Sequence, residues 1–241
     1  MADSTDPLRR QRRFYEKVSV EARDSGFALL LDGRQPRTPG GRPLNLPTHA
    51  LAERLAGEWR VQGEVINYGA MPATRLAHTA IDVVAGARLL SIEAVTRFGG
   101  ADLLCYFAEH PANLVHRQEK TWLPLLEWAR QTHGLTFERA SGIIHREQPP
   151  RTLERLQTIV APLDDFALAG LAFGAALFGS AILALAVRDG RINADQAMAA
   201  SRLDEIFQEE GWGVDAEAES KADAMAVEAV MIERWFAALA R

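Results

Sequence analysis

The sequence predicts an α+β fold in which a strand-rich N-terminal stretch gives way to a long helical region. Three features point there. Residues 13–47 hold two short apolar runs, an Asp-Gly turn and four prolines. Helical periodicity sets in at Thr48 and recurs along the rest of the chain. Residues 166–187 form an uncharged, alanine-rich stretch of 22 positions. With 241 residues, the chain can build one large domain or two modest ones around an ample core.

Taken in order, Phe14–Val20 partly alternates and reads as a first strand; residues 26–31 form a second apolar run. Asp32-Gly33 then suits a hairpin turn, because both positions tolerate positive φ. Pro36, Pro39, Pro43 and Pro47 keep the following chain extended or at a sheet edge. Thr48 is a fitting N-cap, and Leu51, Leu55 and Trp59 make one apolar stripe at i, i+4, i+8. Residues 74–98 read as helical with a break near Gly86, stopped by Gly99-Gly100.

Pro111 and Gly134 punctuate the next helix as its first position and the residue past its end. Val115, Trp122, Leu125, Leu126 and Ala129 mark its buried face, and Pro124 should kink it. Residues 135–147 read as extended, and Pro149-Pro150 opens another helix. Asn193 starts a further one, with Gln196 in capping-box position; Leu203, Ile206 and Phe207 point inward, and Gly211-Trp212-Gly213 ends it. A last helix runs over about 214–239, with Val227, Met231, Trp235 and Ala238 as its stripe.

The stretch 166–187 passes a hydropathy rule for a membrane span and contains Gly170-xxx-Gly174. Yet eight alanines, three glycines and Ser180 fill over half of it, and no Trp or Tyr flanks it. Such residues supply little insertion energy. They suit a central helix closely surrounded by other helices, with a single membrane anchor as the alternative.

Several function classes recede. A net charge of −5 disfavours nucleic acid as a bulk partner, and the run Arg9, Arg10, Arg12, Arg13 is short for a backbone-binding site. Cys105 is the only cysteine, so no internal disulfide can form; its apolar surroundings suit a buried thiol. The acidic start, with Asp3 and Asp6, fits neither a secretory signal nor a transit peptide, so the expected location is cytoplasmic. There is no Walker loop, no Gly-x-Gly-x-x-Gly after a strand, and no Gly-x-Ser-x-Gly elbow. His116 and Glu119 share a helical face, but two ligands do not make a zinc site. No cofactor, metal or small-molecule substrate is therefore expected. Between Asp204 and Glu233 stand ten carboxylates, Asp215 among them, with Lys221 alone between to offset them. They could be a solvated face, a surface for a basic partner, or an acid–base pair of an enzyme.

A set of motifs in fixed order narrows the choice. Arg13-Phe14-Tyr15-Glu16-Lys17-Val18-Ser19-Val20, Leu31-Asp32-Gly33-Arg34 with Arg37-Thr38-Pro39, and Glu58-Trp59 come first. Asp102-Leu103-Leu104-Cys105-Tyr106, Trp122-x-Pro124-Leu125-x-Glu127-Trp128-Ala129, and Ser201-Arg202-Leu203-Asp204-Glu205 before Trp212-Gly213 follow. Together they resemble the ATP-twelve family of ATP synthase assembly chaperones, although the family pattern would carry glutamate at position 204. The resemblance implies an N-terminal antiparallel β-rich α+β domain over 7–108 and an orthogonal helical bundle over 109–241. It also implies a non-enzyme that holds the alpha subunit of the F-type ATP synthase catalytic sector before beta arrives, in mitochondria for eukaryotic relatives. On that reading Glu205, with Arg202, Asp204 and Gln208 beside it, forms the polar partner contact. Trp212 and Trp59 are further candidates, although Trp59 closes an apolar stripe and so suits the core.

Overall fold

The computed structural model describes residues 11–142, 146–213 and 216–240. Arg9, Arg10, Asp3, Asp6, His145 and Asp215 lie outside the described residues. The fold is α+β, as expected: a small antiparallel sheet, a two-stranded parallel pair, and many helices around them.

Strands β1 (Val18–Arg23), β2 (Gly26–Leu31) and β3 (Asn45–Leu46) form the sheet in that order, with Val18 opposite Leu31 and Phe27 opposite Leu46. The first strand begins later than the pattern suggested. Its place is set by Leu29 and Leu31, whose buried side chains face the core and fix the register of their partners. Asp32 and Gly33 both adopt positive φ (49° and 77°), the expected tight turn, but only a single bridge between Leu31 and Arg34 follows it. The proline-rich loop beyond is pinned by Asp82, which accepts hydrogen bonds from the Thr38 hydroxyl (2.6 Å) and Gly40 N–H (2.8 Å).

Helix α1 (His49–Arg60) starts on Thr48, whose side chain accepts from Leu51 N–H, and buries Leu51, Leu55 and Trp59. Next come α2 (Pro72–Thr79), which continues into a π turn at Ala80–Val84, and α3 (Arg88–Gly100). Strand β4 (Tyr106–Phe107) pairs in parallel with β5 (Ala140–Ser141), so the segment expected to be extended is strand for two residues only. Between them lies α4 (Ala112–His133), capped by Gly134 in the left-handed region; Pro111 is its N-cap residue rather than its first helical one. Its buried row is Leu114, Gln118, Trp122, Leu125 and Ala129. Val115 and Leu126 are half-buried, because Gln118 takes an inward place that an apolar reading skips.

Helix α5 (Pro150–Val160) leads into the uncharged stretch. There the structure corrects the expectation of one helix. Residues 166–187 belong to two, α6 (Asp165–Phe178) and α7 (Ala181–Arg188), which fold back on each other. Gly179, at φ 65°, ends the first, and the Ser180 side chain caps the second by accepting from Leu183 N–H. Residues Ala181 to Val187 are all buried. Gly170 and Gly174 permit close approach: a Cβ at Gly170 would lie 2.8 Å from the Trp235 ring, and one at Gly174 3.3 Å from Ala184 Cβ. Among the described residues no helix is long and apolar enough to cross a membrane.

The next helix also divides. Helix α8 (Ala194–Ser201) carries the expected capping box of Asn193 and Gln196; α9 (Leu203–Trp212) restarts after Arg202 leaves helical geometry at φ −107°. Leu203 is buried, while Ile206 and Phe207 are half-buried. Helix α10 (Ala216–Leu239) buries Met231, Trp235 and Ala238 as expected, but Val227 is 64% exposed, because only the second half of the helix enters the core. One buried cluster runs from Tyr15 to Ala238, crossing residue 108 without interruption.

Candidate functional site

Helix α9 is the frame of the site, and its two long sides do different work. One side is tied to α4. Asp204 accepts from Gln118 Nε2 (2.7 Å), and Gln118, fully buried, accepts in turn from Ala108 N–H (2.8 Å). Glu210 takes both its contacts from Arg117 Nη1, at 2.8 and 2.7 Å. That bond holds the Glu210 carboxyl below its ordinary range and the Arg117 guanidinium above its own; the pair is open to water and so contributes little to stability. Trp122 Nε1 donates to Ala200 O (2.9 Å), which locks the preceding helix to α4 as well.

The other side of α9 faces a cleft of about 540 Å³ between the end of α6 and the first half of α10. Arg202 spans two turns to reach Glu209 (Nη2 to Oε1, 2.7 Å), a partly covered ion pair at the cleft wall. Glu205 stands between them, exposed, with Lys221 of α10 lining the same cleft. The floor is apolar: Leu103, Ala176, Leu177, Ala222 and Met225. Beyond the cleft, Gln208 is exposed and Trp212 is 94% exposed, a large apolar side chain with no cover at all.

The structure thus brings Arg202 and Glu205 together in one cleft, with Glu209, seven positions on from Arg202. It gives Asp204 a structural tie instead of a free position. Gln208 and Trp212 lie on the same helix, outside the cleft lining. Trp59 is elsewhere: it is 3% exposed, packed edge-on against Tyr15 (5.6 Å) and Tyr68 (6.1 Å), with its carbonyl accepting from the Tyr15 hydroxyl (2.7 Å). Glu58 caps α2 by accepting from Ala73 and Thr74 N–H, both at 2.8 Å. In the basic run, Arg13 is consumed locally, donating to Tyr15 O and Gln62 O and lying over the Tyr15 ring. His116 and Glu119 are exposed, and among the described residues no group of three or more metal-ligating side chains converges.

A buried network beneath the cleft escaped sequence reasoning. Asp102 is fully buried and accepts from the Ser180 hydroxyl (2.7 Å), Leu104 N–H (3.1 Å) and Ile182 N–H (3.1 Å). Desolvation raises its pKa to about 6, against the pull of those hydrogen bonds. The network joins the cleft floor at Leu103 to the break between α6 and α7, where Leu103 N–H donates to Gly179 O (3.1 Å). An aspartate inside an apolar run after Gly-Gly was the available clue. Cys105 beside it is buried, and burial pushes its thiol far above the ordinary range, so it is inert.

Comparisons with known proteins identify the family and the fold. The sequence pattern of the family described as "ATP12 chaperone protein" matches residues 12–130. The crystal structure of Atp12 from Paracoccus denitrificans is 42% identical, with a TM-score of 0.90, covering 95% of this chain and 98% of that one. The chain belongs to the ATP12 chaperone family. A candidate chaperone of Agrobacterium tumefaciens is similar too, at 38% identity and a TM-score of 0.91, with 95% and 86% coverage. Mitochondrial atp12 of Schizosaccharomyces pombe is 26% identical over 225 residues, which is 88% of this chain and 77% of that protein. Of the acidic-region carboxylates, Asp204, Glu210 and Glu209 are tied to Gln118, Arg117 and Arg202.

Proposed function

We propose that the chain is an assembly chaperone that holds the unassembled alpha subunit of the F-type ATP synthase catalytic sector until it pairs with beta. Family membership over 95% of the chain carries this reading. An unpaired subunit exposes an apolar interface, and such patches invite wrong association. Its holder has to cover that surface and then leave, which requires an interface of moderate size with polar content. The α9 cleft suits that need: an apolar floor, an acidic rim at Glu205, and Trp212 as an aromatic anchor.

Co-purification tests the proposal. Tagged chain should retain alpha alone and release it when beta is supplied; retention of both, or of neither, would overturn it. Glu205 makes no hydrogen bond or ion pair among the described residues. Glu205→Lys should therefore leave the melting temperature unchanged while lowering capture of alpha about tenfold, the scale of a lost charge contact. Unaltered capture would take the cleft out of the contact.

A further inference from the structure

We infer that a second recess, formed by α1, the start of α2 and α10, binds the carboxylate of an acidic segment of a protein partner. Arg54 of α1 and Arg234 of α10 line this recess of about 450 Å³, with Pro72, Val227, Val230 and Met231 as apolar walls. Neither guanidinium makes a hydrogen bond or ion pair among the described residues, and Arg54 Nε is buried with no partner. Exposed arginines such as Arg151 are unbonded too; what sets Arg54 apart is that its Nε is buried, whereas the partly covered guanidiniums of Arg88 and Arg202 are bonded to carboxylates.

Two unpaired like charges in one recess oppose folding, since each disfavours the other's charge. Burial, and then the Arg234 guanidinium, push Arg54 below its ordinary pKa. The one carboxylate at hand, Glu58, favours the Arg54 charge by proximity but makes no bond to it. Glu58 lies one turn from Arg54, but both its oxygens are taken by Ala73 and Thr74 N–H at the start of α2. The recess keeps a net positive charge in a chain of net charge −5. A planar guanidinium fork matches a carboxylate in two-point geometry. The walls specify what flanks it: Val227, 64% exposed, offers contact to an apolar residue next to the acidic one. A phosphate is a poorer fit, because the helix N–H groups that would cradle it are already occupied by Glu58. The recess is distinct from the α9 cleft, and the inference does not depend on the identity of the subunit held there.

The test uses the full chain, a labelled peptide alternating leucine with glutamate, its glutamine counterpart, and inorganic phosphate. The glutamate peptide should bind in a salt-sensitive manner and the glutamine peptide should not. Arg54→Gln and Arg234→Gln should each weaken binding about tenfold without lowering the melting temperature, since neither side chain has a partner to lose. Arg234→Lys keeps the charge but not the fork and should also weaken it. Glu205→Lys, in the other cleft, should leave it unchanged. Equal affinity for the glutamine peptide, or indifference to both arginine substitutions, would overturn the inference. So would displacement of the peptide by phosphate at matched concentration, which would make the recess a site for free anions.

Discussion

Among the described residues no cation pairs with the buried Asp102, which is held by a serine hydroxyl and two backbone N–H groups. Its proton is bound more tightly in the folded protein than in the unfolded chain. Its contribution to stability is therefore greatest below the ordinary aspartate value of ~4, falls as pH rises toward about 6, and is level above that. Denaturant midpoints of the wild type and Asp102→Asn, compared at pH values spanning that window, should show the wild type losing ground as pH rises. A constant gap would mean that Asp102 binds its proton equally well in the folded and unfolded chains. Legibility in the sequence differs from residue to residue here. Arg202 and Glu209 are seven positions apart, and helical spacing alone places them on one face. Asp102 meets Ser180 across 78 positions, and nothing local in either segment announces that contact. Trp59 and Trp212 are chemically identical in sequence; the apolar stripe around Trp59 separates core from surface, and the polar run before Trp212 does the same in reverse.

Helices were readable where caps and periodicity agree, as at Thr48 and Asn193. The divided stretch 166–187 was not. A glycine followed by a serine is a stop and a start, but Gly179 stands in a run that also holds Gly170 and Gly174, and composition does not separate their roles. Packing does. Gly170 exists to let α6 lie under Trp235, whose ring is fully buried and whose Nε1 donates to Phe166 O (3.1 Å). Gly170→Ala should lower stability by about 1–3 kcal/mol through overpacking, despite the better helix propensity of alanine. Chemical denaturation measures this. A stabilised variant would show that the two helices can separate at no cost.

Across the whole molecule, the strand-rich and helical parts share one buried cluster. Helix α10 packs on α1 and α2 as well as on α6, and α3 packs on α5, α6 and α7. The packing thus crosses the expected division at 108/109, and β4 on one side of it pairs with β5 on the other. We expect one cooperative unfolding transition, with far-ultraviolet circular dichroism and tryptophan fluorescence giving the same midpoint. Two separated transitions would mean that each part holds its own core.

The Trp235 contact has a consequence for how the chain is made. Its partner carbonyl, on Phe166, leaves the ribosome 69 residues earlier. At 5–20 residues per second, the alanine-rich hairpin waits roughly 3–14 s for the side chain that seals it. Throughout that interval the nascent polypeptide displays a sticky surface of its own.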